Sequence, residues 1–177
     1  IDINYEKTYS LLEKNYNSGY ETLSIVLINS FKFPRHEKIV KSIAKKIGYG
    51  FISSSFEVCP MINFTSRGFT TLADNYLNPI VKKFTDNVHG SFNQTRINYM
   101  QSSGFLCTKD NFSGKTSILS GPAGGIRAGI KIAKKNNIKK LIGFDMGGTS
   151  TDIWHYSGSV EKRLETKISG IYLKTPV

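Results

Sequence analysis

Tyr5, Tyr9, Leu12 and Tyr16 recur at helical spacing and the run stops near Gly19, so the chain is expected to open with a helix. Leu23 to Ile28 is a continuous apolar run and predicts a buried strand. Phe33-Pro34 breaks the pattern. Beyond it Ile39, Val40, Ile43, Ala44 and Ile47 form one helical face, closed by Gly48 as a C-cap. Tyr49 to Val58 holds a second strand. Helix–strand–helix–strand alternation points to α/β layering.

A longer helix is expected from about Thr70, with Leu72, Tyr76, Ile80 and Phe84 on one face and a kink at Pro79. Asn98 to Cys107 reads as strand, interrupted at Ser102-Ser103-Gly104. Ser120-Gly121-Pro122 starts a further helix, with Pro122 where a missing N–H costs little. Ile126, Ile130 and Ala133 face its core side. Ile138 to Phe144 is the next strand and Ile153 to Tyr156 another. Ser157-Gly158-Ser159 reads as a hairpin turn before a strand from Val160 to Ile168. There is no internal repeat and no low-complexity linker.

Composition narrows the class. The 177 residues are 39% hydrophobic and 12% aromatic, which suits a globular core. No apolar run reaches the roughly 18 residues of a membrane span, so no transmembrane helix and no membrane partner are expected. No signal peptide is visible. Residue 1 is Ile, so the chain reads as an internal piece of a longer protein. Cys59 and Cys107 fit no metal spacing, which favours structural thiols in a reducing, cytoplasmic compartment.

The formal net charge is +11. Gly121 to Phe144 contains no acid but carries Arg127, Lys131, Lys134, Lys135, Lys139 and Lys140. Such a patch attracts nucleic acid or an anionic nucleotide, or is a solvated lysine face. No zinc-finger spacing and no RNA-binding aromatic consensus speak for nucleic acid, which is not the expected partner.

The stretch richest in chemistry is Phe144-Asp145-Met146-Gly147-Gly148-Thr149-Ser150-Thr151-Asp152. A strand runs into an aspartate, a glycine turn and a row of hydroxyls, then into a second aspartate and a second strand. Glycines bring backbone N–H groups close to phosphate oxygens, and a carboxylate holds Mg²⁺ directly or through water. A bare Asp-x-Gly-Gly is also met in structural hairpins, so the longer context has to decide.

That context resembles the hydantoinase A / 5-oxoprolinase family. Ser120-Gly121-Pro122-Ala123-Gly124-Gly125, a helix, and then the Asp145 loop follow one another as they do there. Upstream, Pro34-Arg35-His36-Glu37, the Ser54 to Pro60 stretch, Arg67, Thr70, Thr71, Tyr76, Leu77, Pro79, Ile80 and Met100-Gln101-Ser102-x-Gly104 resemble further family motifs in the same order. Phe33, Gly68, Phe69, Ser103, Phe105, Ile126 and Arg127 depart from the usual residues, which leaves the substrate open.

The resemblance implies an α/β chain with a partial actin-like (RNase H-like) ATPase fold, mixed sheets and flanking helices. It divides the chain into 1–73, the end of an N-terminal lobe, and 74–177, the start of a second lobe. It implies ATP and Mg²⁺ at a cleft whose other half, a first phosphate loop and an adenosine motif, lies in missing lobes of the parent chain. A homo-oligomer or second subunit is expected, and the fragment alone is expected to be inactive.

Roles follow the same resemblance. Asp145 holds Mg²⁺ or merely caps the turn. Gly147, Gly148 and Thr149 cradle phosphates through their N–H groups, and Ser150 completes the loop. Ser150, Thr151 and Asp152 finish the loop or polarise the reacting group, with Thr151 and Asp152 as the catalytic candidates, or all three serve turn hydrogen bonding. Gly121 to Gly125, with Gly124 and Gly125 as the anion-binding candidates, open a helix whose positive end faces an anion, or they allow close packing. Arg67 holds an anionic substrate group or, with more weight, forms a surface or interlobe salt bridge. His36, His89 and His155 read as structural. The implied reaction is ATP-dependent opening of a cyclic amide such as 5-oxoproline or a hydantoin. The alternatives are an ATP-dependent ketone carboxylase subunit and a non-catalytic basic binding module.

Overall fold

The computed structural model describes residues 2–92, 95–160, 163–168 and 170–175. In chain order the elements are α1 (Tyr5–Asn17), β1 (Thr22–Ile25), α2 (Arg35–Ile47), β2 (Phe51–Ser54), α3 (Ser55–Val58), α4 (Phe64–Ser91), β3 (Tyr99–Met100), β4 (Leu106–Cys107), α5 (Gly114–Ser117), α6 (Ser120–Lys135), β5 (Leu141–Met146), β6 (Thr151–Tyr156), β7 (Thr166–Ile168) and β8 (Ile171–Leu173). The fold is α/β. The described strands pair two by two instead of forming mixed sheets: β1 with β2 in parallel, β3 with β4 and β5 with β6 antiparallel, and β7 with β8.

The chain forms two compact units. The first comprises Ile1–Asn93, Ser113–Lys115 and Lys167–Lys174; the second comprises Gln94–Phe112, Thr116–Thr166 and Thr175–Val177.

In the first unit, β1, α2 and β2 make a βαβ turn with Thr22 opposite Phe51 and Ile25 opposite Ser54. Gly48 ends α2 at φ 115°, a left-handed cap that glycine adopts without steric cost. Ile25, Ile43, Ala44, Tyr49 and Cys59 are buried. Much of the rest of the interior is polar. Glu37 is fully buried and accepts from Leu27 N (2.7 Å), Ser55 Oγ (2.6 Å) and Phe56 N (3.1 Å). Asp74 accepts from Ser53 Oγ (2.8 Å), Asn78 Nδ2 (3.0 Å) and Lys115 N (2.8 Å). Buried groups paired this fully are tolerated, whereas each orphan would cost about 1–3 kcal/mol.

α4 begins at Phe64, six residues before the expected start. Asn63 is the reason, since its side chain accepts from Ser66 N and caps the first turn. The helix continues through Pro79 to Ser91. Leu72, Tyr76, Ile80 and Phe84 do share a face, but that face is exposed. The buried side of α4 is made of Ser66, Arg67, Thr70, Thr71, Asp74, Asn75 and Thr85.

In the second unit, the interruption at Ser102-Ser103-Gly104 is the turn of a hairpin that sets Tyr99 opposite Cys107. α6 packs Ile130 and Ala133 against Tyr156, with Ile126, Leu141 and Trp154 around them. β5 and β6 form the antiparallel hairpin that carries the glycine loop. Of the strand expected from Val160 to Ile168, only β7 forms among the described residues.

Candidate functional site

The β5–β6 ladder pairs Leu141 with Tyr156, Gly143 with Trp154 and Asp145 with Asp152. Directly opposed residues share a face, and faces alternate along a strand. These three pairs therefore lie on one face, and that face looks at α6. Gly129 of α6 and Gly143 of β5 leave room for Trp154. A Cβ added at Gly129 would lie 2.3 Å from Trp154 Cη2, and one at Gly143 would lie 2.0 Å from Cε2. Toward the loop, a Cβ at Gly125 would stand 3.3 Å from Asp145 Oδ2. Trp154 and the small residues of α6 thus bring the Asp145 carboxylate beside the first turns of the helix.

The loop itself is tight. Gly147 N donates to Ser150 O at 2.9 Å, which leaves Gly148 and Thr149 at the tip. Neither Gly147 nor Gly148 adopts a left-handed φ. A Cβ at Gly148 would meet nothing within 4 Å. Neither the backbone turn nor protein packing demands a glycine there; the missing side chain leaves open space against the main chain. Among the described residues, the N–H groups of Gly148 and Thr149 have no protein partner.

α6 starts after Leu119, which sits in the left-handed region at φ 57° and offers no side-chain cap. A non-glycine residue held there costs roughly 1 kcal/mol or more, and the first-turn N–H groups keep their partial positive charge. Gly121 also faces open space, while a Cβ at Gly124 would lie 3.9 Å from Met100 Cγ. Nothing in the sequence pattern marked Leu119, because backbone strain at a leucine leaves no compositional trace.

The structure gathers Asp145, Asp152, Gly125 and the open amides of Gly148 and Thr149 at one end of the hairpin. Thr151 pairs with Met146 and lies on the opposite face from the two carboxylates. Among the described residues, no group of three or more His, Cys, Asp or Glu could hold a metal. Two opposed carboxylates with phosphate and water to complete the shell match the habit of Mg²⁺, which seldom uses an all-protein cage. The residues present therefore fit a magnesium–phosphate group.

The other candidates fall elsewhere. Arg67 is fully buried in the first unit. It donates to Ser55 Oγ (3.1 Å), Met61 O (2.6 Å), Leu27 O (2.6 Å) and Ile28 O (2.8 Å), and the Phe31 and Phe64 rings lie 5.6 Å away. It makes no ion pair among the described residues, so the surface salt bridge expected for it is replaced by a buried clamp between two loops. His155 is exposed opposite Ile142, and His36 lies in the first turn of α2. Arg127 donates to Gly104 O (3.0 Å) and stacks 4.9 Å over Phe105, so two departures from the family pattern touch each other. Lys131, Lys134, Lys135, Lys139 and Lys140 are exposed. A cavity of about 720 Å³ lies among Lys38, Lys41, Lys45, Lys46 and Phe56 of the first unit and includes none of the candidate site residues.

One family model covers more than half of the chain. The hydantoinase/oxoprolinase model matches residues 67–177. The chain is 44% identical over 172 residues to the 5-oxoprolinase of Saccharomyces cerevisiae, covering 94% of this chain and 13% of that protein. It thus spans about one eighth of the length of this curated relative. Among solved structures it is similar to the ATP-dependent caprolactamase from Pseudomonas jessenii, with TM-score 0.77 and 25% identity over 92% of this chain and 25% of that one. It shares the fold of a nucleotide-free acetone carboxylase, with TM-score 0.78 and 19% identity over 97% of this chain and 26% of that one.

Proposed function

Because the chain belongs to the hydantoinase/oxoprolinase family, we propose that it supplies the second phosphate loop of an actin-like, ATP-dependent enzyme that opens a cyclic amide such as 5-oxoproline or a hydantoin. The observation that carries this reading is the opposition of Asp145 and Asp152 beside open glycine-loop amides. On this reading residues 1–73 end one lobe and residues 74–177 begin the next.

A ring amide is resonance-stabilised, and coupling its opening to ATP cleavage makes the step favourable. Mg²⁺, when bound, would neutralise charge on the phosphoryl group in transit. Asp145 would hold it, directly or through water. Gly148 and Thr149 would present their N–H groups to phosphate oxygens, and the Ser150 hydroxyl would add a donor. Gly147, whose N–H is engaged by Ser150 O, would shape the loop and let the phosphate approach. The uncapped start of α6, with Gly124 and Gly125, would add the field of its helix dipole. Asp152, on the same face as Asp145, would orient the water or the reacting group, and Thr151 would support the loop from the other face. A cytoplasmic setting and further subunits or lobes complete the proposal.

The test is phosphate release from ATP by the longest natural polypeptide that contains these residues. 5-Oxoproline, a hydantoin, and acetone with bicarbonate are each added separately. Stimulation by a ring amide, abolished by Asp145→Ala, is the expected result. Stimulation only by acetone with bicarbonate would assign a carboxylase instead. Full turnover in Asp145→Ala would remove the metal role.

A further inference from the structure

Every charge that α2 presents outward is basic. Its one acid, Glu37, is fully buried and bonded to neutral donors. Lys38, Lys41, Ser42, Lys45 and Lys46 recur at spacings that place them on one side of the helix, away from the buried Ile43 and Ala44. With Phe56 and Glu57 they line a cavity of about 720 Å³. Like charges three and four residues apart destabilise a helix, and Lys38, Lys41 and Lys45 are so placed. The helix dipole offsets this only for Lys45 and Lys46, in the last turn; Lys38 and Lys41 stand in the first two turns.

The charges are also poorly neutralised. Lys41 pairs with Glu57. Lys38 Nζ lies 5.6 Å from the centre of the Phe56 ring. Lys46 Nζ donates to Tyr5 Oη at 3.3 Å and lies 5.6 Å from the centre of that ring. These aromatic contacts steady the lysine stems and leave their charge intact. Among the described residues, Lys38, Lys45 and Lys46 have no carboxylate partner.

We propose that this cavity binds a compact, soluble polyanion carrying two or three phosphoryl groups. Charge selects the ligand: three unneutralised ammonium groups surround one concavity whose single acid is already paired. Size selects a small molecule, since the volume falls within the roughly 300–1,000 Å³ of small-ligand sites. Lysine meets phosphate as a point charge and asks for no planar partner. The Ser42 hydroxyl, between the lysines, adds a donor, and Phe56 supplies an apolar wall. A nucleic-acid duplex spreads its charge along a track and suits a basic stripe better than a closed cluster. The cavity shares no residue with the Asp145 loop, so it is a second anion site and does not depend on what that loop binds.

The probe is inorganic tripolyphosphate, with EDTA present, on the longest natural polypeptide that contains these residues. Acetylation of lysines, read by mass spectrometry, reports each position separately. Tripolyphosphate is expected to slow modification of Lys38, Lys45 and Lys46 several-fold and to leave Lys134 and Lys139 unchanged. In calorimetry, Lys38→Gln with Lys45→Gln is expected to weaken that binding about tenfold or more, with an unchanged circular-dichroism spectrum and melting temperature. Lys134→Gln with Lys139→Gln removes the same charge from exposed positions elsewhere and is expected to change affinity little. Uniform protection of all lysines, or equal losses from the two pairs of substitutions, would reduce the effect to net charge and overturn the site. Tighter binding of duplex DNA than of tripolyphosphate, lost in Lys38→Gln with Lys45→Gln, would overturn it in favour of a nucleic-acid surface. Retention on vesicles bearing a bisphosphorylated inositol lipid, without binding of free tripolyphosphate, would overturn the soluble ligand.

Discussion

Asp145 and Asp152 face each other across the β5–β6 ladder, on the side of the hairpin that looks at Gly125 of α6. Like charges directly opposite in an antiparallel pair destabilise it. The hairpin carries this repulsion because Trp154, Tyr156 and Leu141 anchor the same face against α6. A cation between the carboxylates would turn the repulsion into attraction.

Replacing either aspartate with asparagine is therefore expected to stabilise the metal-free chain slightly, by about 0.2–1 kcal/mol. Millimolar Mg²⁺ should raise the melting temperature of the wild type and leave Asp145→Asn unmoved. Thermal melts with and without MgCl₂ check both. Destabilisation by both substitutions, with no response of the wild type to Mg²⁺, would show that the pair has a purely structural role.

Gly143→Ala and Gly129→Ala each force a methyl group into the Trp154 ring. Overpacking of this kind costs about 1–3 kcal/mol. The chain has one tryptophan, so its fluorescence reports the disturbance directly. Combining Gly143→Ala with Trp154→Leu should cost less than the two single losses added together, because the clash disappears with the ring. Urea titration of the four variants measures this.

Arg67→Met is expected to lose about 3–5 kcal/mol, since it leaves the carbonyls of Met61, Leu27 and Ile28 short of a buried charged donor. Arg67→Lys should recover only part, because an ammonium lacks the planar fork that reaches both loops. Denaturant unfolding decides the matter. An Arg67→Met chain as stable as the wild type would return this residue to ligand binding.

Burial, more than any other cause, raises the Cys59 thiol above its usual pKa of 9.0, although Lys115, Lys174 and Arg67 pull the other way. Burial raises Cys107 too, against a hydrogen bond from Gln101. The folded state thus holds the thiol proton longer than the unfolded chain does. The associated stability is fully present below the ordinary pKa and is lost as pH rises through the higher folded value. The stability difference between wild type and Cys59→Ala should shift against the wild type above about pH 9. Iodoacetamide should label the half-buried Cys107 before the buried Cys59 at neutral pH, and label Cys59 only on unfolding. Equal labelling rates in the native chain would contradict the burial account.

Much of the local structure was readable from residue pattern. The helical face of α2, its Gly48 cap, the start of α6 at Ser120 and its core residues Ile130 and Ala133 all follow from spacing and capping chemistry. The family could be read as well, because its motifs are strings of glycines, hydroxyls and acids whose order is itself the signal. The start of α4 was misplaced because Asn63 caps it ahead of Gly68, a residue that weakens helical pattern. The direction of α4 was hidden for a different reason. Periodicity shows that Leu72, Tyr76, Ile80 and Phe84 share a side, but not which side the neighbouring elements occupy.

The sequence by itself determined the α/β order of elements, the two-aspartate glycine loop and the family. These are local, and short-range sterics, capping and motif order specify them. Only the folded structure decided that Asp145 meets Asp152 while Thr151 faces away, since hairpin register is set by the geometry of the turn, closed here by Gly147 N and Ser150 O. Only the tertiary structure showed Arg67 sealed inside with four acceptors and the apolar side of α4 left outside. Burial depends on which surfaces of the folded chain compete for the same space, and no window of sequence contains that competition.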